Sequence, residues 1–186
     1  MAKVLIPLAN GFEDLEAIAI VDVLRRGGVE VVTASIHDSL EVRSAHGVLM
    51  RADALFADAE KDSYNAIVLP GGGEGTANLK QSQALTRRLR RQHDEQGLLC
   101  AICAAPTVLV AAEVVDPDVQ ITCYPTCQME LDRSWSPAPV VADGQYITGQ
   151  APGTALLFAL VVLKTLAGTA VAKRVARGMV TDVLDE

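Results

Sequence analysis

Lys3-Val4-Leu5-Ile6-Pro7-Leu8, the turn signal Asn10-Gly11, the stretch from Glu13 to Arg26 and the run Val29 to Ser35 read as strand, turn, helix and strand. In the helical stretch Leu15, Ile18, Ala19 and Leu24 recur at helical spacing, so they form the expected inner face. Acidic residues open that stretch and Arg25-Arg26 close it, which complements the helix dipole. Gly27-Gly28 stops it. Two strands joined by a helix make a crossover unit, and a crossover implies a parallel sheet.

Working outward, His37 to Ala54 carries short alternating runs that suggest a hairpin or an edge excursion. Asn65 to Leu69 is a buried strand ended by Pro70-Gly71-Gly72-Gly73. Ala84 to Glu95 reads as a helix, with Arg87, Arg88, Arg90 and Arg91 on a solvated face, and Gly97 ends it. Leu98 to Ile102 is an apolar strand, and Ala104 to Ala112 the next helix. Gln120 to Tyr124 and Tyr146 to Thr148 are expected as later strands. Pro125 to Asp143 holds three prolines and the single Trp of the chain, and it reads as loop. Pro152-Gly153-Thr154 opens a final apolar helix. No linker, repeat or low-complexity tract divides residues 1–186, so one α/β domain is expected.

Half of the 186 residues are hydrophobic and only 4% aromatic, so the core must rest on Val, Leu, Ile and Ala, the usual material of covered parallel sheets. The formal net charge of -7 argues against a general nucleic-acid binding surface. The start of the chain lacks a signal-peptide pattern, since its apolar run is cut by Pro7 and Asn10, and a cytoplasmic location is expected. The longest apolar stretch, Ala155 to Leu163, falls short of the about 18 residues needed to span a bilayer. It is expected as a buried helix rather than a membrane segment.

In an open parallel sheet, reactive groups gather beyond the carboxyl ends of the strands. Three such ends carry chemistry. Cys103 stands where a strand turns into a helix, and a helix N-terminus favours a thiolate. Ala104 and Ala105 leave the sulfur accessible, and Pro106 suits an early helical position. Against this stands an inert buried Cys, which is common. Glu16 follows the first strand end, flanked by Leu15 and Ala17, so it can face inward, where burial keeps a carboxyl protonated. Glu13 and Asp14 are expected to cap the helix and see solvent. The glycines after Leu69 allow backbone N–H groups to approach a ligand, although a plain turn explains them as well. They form neither a phosphate loop nor a dinucleotide fingerprint.

Four cysteines occur: Cys100, Cys103, Cys123 and Cys127. Cys100 and Cys103 point to opposite faces of a regular strand, so no shared metal is expected. Cys123 or Cys127 could resolve an oxidised Cys103 if the fold brings them close.

Together, Gly11-Phe12-Glu13-Asp14-Leu15-Glu16-Ala17, Leu69-Pro70-Gly71-Gly72, Ala101-Ile102-Cys103-Ala104-Ala105-Pro106-Thr107 and Pro152-Gly153-Thr154 resemble the ThiJ/PfpI superfamily, in the branch of the bacterial YajL proteins and the human parkinsonism-associated protein deglycase. The resemblance spans nearly the whole chain. It implies a flavodoxin-like three-layer α/β/α sandwich with a mostly parallel sheet, assembled as a homodimer. It makes Cys103 the oxidisable nucleophile and Glu16 its protonated partner, with Gly72 and Ala104 supplying backbone N–H groups to the site. The implied substrates are small reactive aldehydes or glycated molecules, handled by glyoxalase-type or deglycase chemistry without metal or cofactor; the alternative is a redox-sensing chaperone. Two departures mark accessory positions: Tyr124 stands where many relatives have a His, and His46 where relatives have an Arg. Ala104 stands where the peptidase-like branch has a His, which counts against proteolysis.

Overall fold

The structure, a computed structural model, describes residues 1–131 and 135–182. The chain runs β1 (Lys3–Leu8), α1 (Asp14–Arg26), β2 (Glu30–Ser35), β3 (Glu41–Arg43), β4 (Leu49–Arg51), β5 (Ala54–Leu55) and α2 (Phe56–Ala59). It continues through β6 (Ala66–Leu69), α3 (Gly73–Gln81), α4 (Gln83–Asp94), β7 (Leu98–Ile102) and α5 (Pro106–Ala111). A 3-10 turn, Pro125–Glu130, precedes β8 (Val140–Asp143), β9 (Tyr146–Gly149), α6 (Ala155–Ala167) and α7 (Thr169–Gly178).

The main sheet has seven strands in the order β5-β2-β1-β6-β7-β9-β8. All its pairs are parallel except β8 with β9 at the edge. Alternate strand residues serve opposite faces. Val4, Ile6, Val68, Cys100 and Ile102 meet α1, α6 and α7 on one side. Leu5, Ile67, Leu69, Leu99 and Ala101 meet α2, α3, α4 and α5 on the other. This is the three-layer, flavodoxin-like sandwich expected from the sequence. Among the described residues, no helix is long and apolar enough to cross a membrane.

The first crossover forms as read, but α1 buries a different face. Glu16, Ala17, Ile20, Val23 and Leu24 point inward, whereas Leu15 and Ile18 are 65% and 51% exposed. The expected stripe ran through Leu15, Ile18, Ala19 and Leu24, of which only Leu24 is buried, while the arc that meets the sheet includes the Glu16 carboxyl. His37 to Ala54 resolves into both anticipated forms: β3 and β4 pair as an antiparallel hairpin, and β5 is an edge strand.

Other expectations need correction. Gln120 to Tyr124 is not a strand; only Ile121 makes a lone bridge, to Trp135. The segment Pro125 to Asp143 is not all loop, since it holds the 3-10 turn and β8; its residues 132–134 lie outside the described residues. Helix α3 escaped the reading because Gly73 and Gly75 disguise it. The apolar helix after Pro152-Gly153-Thr154 forms as α6, and a further helix that the reading lacks, α7, follows after Gly168. On α4, Arg88 is 2% exposed and not part of a solvated face.

Phe158 of α6 is fully buried between α1 and the sheet. Phe158→Ala is expected to cost about 3–5 kcal/mol in urea unfolding, whereas Gln83→Ala, at an exposed position of α4, stays within about 0.5 kcal/mol.

Candidate active site

After β1 the chain crosses one face of the sheet through α1, and after β6 it takes the opposite face through α3. Diverging connections open a crevice beyond the ends of the two strands, the place where ligands bind in such sheets. The next strand, β7, ends at Cys103. The crevice therefore collects Glu16 from α1, the glycine run after β6 and the turn after β7.

Glu16 is fully buried. Its helix starts with Glu13 as N-cap, whose Oε2 accepts the Glu16 N–H at 2.8 Å. Glu13 thus caps as expected, but it is only 9% exposed and turned from solvent. Glu16 Oε2 accepts the Gly71 N–H at 2.7 Å. Glu16 Oε1 is buried without a conventional partner, which leaves it to the Cys103 side chain. Burial pushes the Glu16 carboxyl up to about 7, opposed by the Gly71 N–H and the Cys103 thiol and aided by the Glu13 charge.

Gly71 is the residue whose particular role the sequence reading missed. A Cβ there would meet Cys103 Cβ at 2.7 Å, Glu16 Oε2 at 2.8 Å and the Ile102 carbonyl at 2.9 Å. Only a glycine lets the backbone lie between thiol and carboxyl. Gly72 has φ of 94°, and a Cβ there would fall 2.3 Å from the Gly11 carbonyl oxygen. The three consecutive glycines after a strand were the available signal.

Cys103 has φ of 64°, in the left-handed region that non-glycine residues rarely occupy. Its N–H donates to the Gly149 carbonyl at 2.9 Å, and its own carbonyl accepts the Tyr124 N–H at 2.7 Å. These bonds pin the turn from both sides and hold the strained conformation. Helix α5 begins only at Pro106, so the thiol is not on the first helical turn as expected. Nor is it lowered: burial pushes it up to about 12, and the Glu16 charge and hydrogen bond add to the rise. The N–H groups of Gly72 and Ala104 point to the sulfur and oppose that rise. Thiol and carboxyl thus face each other as a pair, and protonation of Glu16 removes its charge from the sulfur.

Cys103 is 7% exposed and opens on a cavity of about 340 Å3. Tyr124, His46 and Cys127 line its walls together with Gly72 and Ala104. Two larger hollows, of about 400 and 440 Å3, contain no cysteine. The His46 Nδ1 lies 2.8 Å from Asp14 Oδ2. Burial pulls Asp14 upward, but hydrogen bonds from Ser44 and His46 outweigh it and hold the carboxyl below its ordinary value. Glu13, Asp14 and His46 also place three potential metal-ligand atoms within 4.8 Å of one another, yet those of Asp14 and Glu13 already accept hydrogen bonds. Cys127 is the one of the two later cysteines that reaches the cavity. Cys123 is fully buried, with its Sγ 3.3 Å from the Tyr124 carbonyl. Cys100 is also fully buried, and burial pushes its thiol well above the ordinary value.

Comparison with known proteins gives the family. The pattern of the DJ-1/PfpI family matches residues 2–165. Protein DJ-1 homolog B of Arabidopsis thaliana is 38% identical over 167 residues, 89% of this chain; the chain spans 38% of that protein's length. The glutathione-independent glyoxalase DJR-1.2 of Caenorhabditis elegans is 33% identical over 170 residues, 90% of this chain and 89% of that protein. The solved structure of Toxoplasma gondii DJ-1 in oxidized form superposes with a TM-score of 0.93 at 33% identity, over 97% of this chain and 99% of that one. The chain belongs to the DJ-1/PfpI family.

The raised carboxyl gives a pH signature. Burial moves Glu16 up to about 7 from the ordinary value of 4.5, so between those values the folded protein holds a proton the unfolded chain has lost. Its contribution is complete below pH 4.5 and disappears as pH rises through 7. Thermal unfolding of the wild type is expected to weaken across this window by on the order of 3 kcal/mol relative to Glu16→Gln, whose stability stays flatter. Parallel profiles for the two proteins would show that Glu16 is not the titrating group.

Proposed function

We propose that this member of the DJ-1/PfpI family converts small reactive aldehydes, methylglyoxal and glycated molecules among them, through the thiol of Cys103. The observation that carries the reading is the buried pair itself: a thiol on a pinned turn, a carboxyl of pKa near 7 beside it, and two N–H groups directed at the sulfur. A relative named a glutathione-independent glyoxalase supports it.

Glu16 takes the thiol proton as the sulfur adds to the aldehyde carbon. The hemithioacetal oxygen carries the developing charge, and the N–H groups of Gly72 and Ala104 offset it. Glu16 returns the thiol proton to that oxygen, and then moves a proton from the former aldehyde carbon to the neighbouring carbonyl carbon while the hydroxyl proton passes to the neighbouring oxygen. The first carbon is oxidised to a thioester, and the second is reduced to an alcohol. Water cleaves the thioester, giving lactate and the free thiol. No electron leaves the substrate, so no cofactor is called for. Deglycation starts instead from the carbinolamine of an aldehyde and an amine: the sulfur displaces the amine, which leaves with the thiol proton delivered by Glu16, and the same hemithioacetal results. Tyr124 and His46 stand at the cavity wall as accessory groups that orient the substrate.

A second reading uses the same pair for redox sensing. Peroxide oxidises Cys103 to sulfinate, and protonated Glu16 donates a hydrogen bond to the product. The Glu16 carboxyl facing the Cys103 side chain favours it, as does a relative solved in oxidized form.

We also infer a homodimer. Leu15 and Ile18 of α1 and Val48 and Leu49 of the β3–β4 hairpin are all more than half exposed. The hairpin is fastened to the start of α1 through Asp14, Ser44 and His46. A second copy on this face covers the four apolar side chains and closes the rim of the cavity at His46.

Lactate formation from methylglyoxal separates the chemical readings. Wild type is expected to turn over, with Cys103→Ala and Glu16→Gln each at least about 100-fold slower. A wild type without turnover whose Cys103 gains two oxygens in dilute peroxide, read by mass spectrometry, supports the sensor instead. Sedimentation tests assembly: wild type is expected as a dimer and Ile18→Asp as a monomer. A monomeric wild type at tens of micromolar ends the dimer reading.

A further inference from the structure

On the helical face opposite α1, away from the cysteine, Arg88 of α4 is 2% exposed. All three of its guanidinium nitrogens are buried without a hydrogen-bond partner among the described residues. Its guanidinium lies 5.6 Å from the centre of the Tyr64 ring. That contact offsets some of the loss of water, but a ring face accepts none of the five N–H bonds. A buried charge without a counter-ion is costly, and natural proteins pair such groups.

The surroundings do not supply the pairing. Burial, and then the charge of Arg91, push the Arg88 guanidinium below its ordinary value. Glu95, on the same helix, is engaged by Arg91 at 2.8 Å. Asp58 is engaged by Lys61 at 3.2 Å. Glu60 faces the guanidinium and helps to hold its charge, but it forms no ion pair with it. Arg88 instead borders a cavity of about 260 Å3 between α4 and the end of α2, lined besides by Glu60, Lys61, Arg87 and Arg91. Four cations against one acid is unusual in a chain whose net charge is -7.

We propose that this cavity binds the dianionic phosphate group of a small molecule, with Arg88 as its floor and Lys61, Arg87 and Arg91 as its rim. A dianion offsets the excess of three positive charges better than a single carboxylate does. Two N–H groups of an arginine fork fit two phosphate oxygens at once. Entry needs only the rim to part. Lys61 and Arg91 are held there by exposed ion pairs, which are weak. Arg87 is exposed and joins no ion pair. The site shares no residue with the Cys103 cavity, so it stands or falls independently of the aldehyde chemistry.

The test is titration of the full chain with inorganic phosphate, followed by 31P line broadening at constant ionic strength, with phenyl phosphate as a second arm. Saturable binding is expected in the millimolar range or tighter. Arg88→Gln is expected to weaken it at least tenfold. Because a buried substitution can disturb folding, the exposed double variant Lys61→Gln with Arg87→Gln is measured too, and it is expected to lose a similar factor while keeping the wild-type melting temperature. Glu60→Gln, which removes the one acid, is expected to tighten binding. Phenyl phosphate binding tenfold better than phosphate identifies an ester as the ligand; equal affinities identify the free ion. Two results overturn the proposal: phosphate binding that does not saturate or is unchanged in the double variant, and a large loss of stability in Glu60→Gln with no gain in binding. The second outcome makes Glu60 the counter-ion of Arg88.

Discussion

The hydrogen bond from the Gly71 N–H to Glu16 Oε2, 2.7 Å long, ties the first helix to the end of β6 across the switch point of the sheet. Everything reactive in the protein is arranged around it. The bond holds one carboxylate oxygen and leaves the other facing the thiol. It brings the backbone so close to Cys103 that a single methyl group at Gly71 would overlap the Cys103 Cβ, the Glu16 carboxyl and the Ile102 carbonyl at once. The strained turn at Cys103 follows from the same crowding. With φ of 64°, Cys103 carries its sulfur toward the carboxyl, and the bonds to Gly149 and Tyr124 stop the turn from relaxing. A packed sheet supplies the rigidity to bear this local strain.

The fold was legible where the pattern was long and uninterrupted. β1, α1, β2 and β7 could be read because apolar runs and end signals agree there. α3 could not, since two glycines in its first turn argue against a helix and only packing under the neighbouring helices forms it. The inner face of α1 was misread for a physical reason. Hydrophobicity alone put Leu15 and Ile18 inside, but the arc facing the sheet is fixed by where Glu16 must meet Gly71. A buried carboxyl takes a core position, and Leu15 and Ile18 face outward.

The site shows the same division. Cys103 and Glu16 were legible as types at strand ends. Their mutual effect was not, because it depends on distances that sequence does not carry. The expectation of a lowered thiol rested on a helix start at Cys103. The helix starts three residues later, and burial then dominates over the remaining N–H groups. Arg88 was missed for a related reason. Four arginines within five positions of α4 look like a solvated face, but one of them falls on the inner side at helical spacing.

A raised thiol beside a raised carboxyl gives a more selective nucleophile than a free thiolate. With Glu16 protonated, deprotonating Cys103 would place a charge in a buried site, opposed by desolvation and helped only by two N–H groups and the carboxyl proton. With Glu16 ionised, the carboxylate stands ready to take the thiol proton as the sulfur attacks. In that second form the pair carries one negative charge throughout, and it moves from carboxylate to substrate oxygen during addition rather than being created. Carbonyl carbons, which develop an oxyanion on attack, benefit from the N–H groups of Gly72 and Ala104; saturated alkylating agents, which develop none, do not. Under the proposed chemistry the arrangement favours carbonyl compounds over electrophiles in general, and increasingly so as pH rises through about 7 and Glu16 ionises.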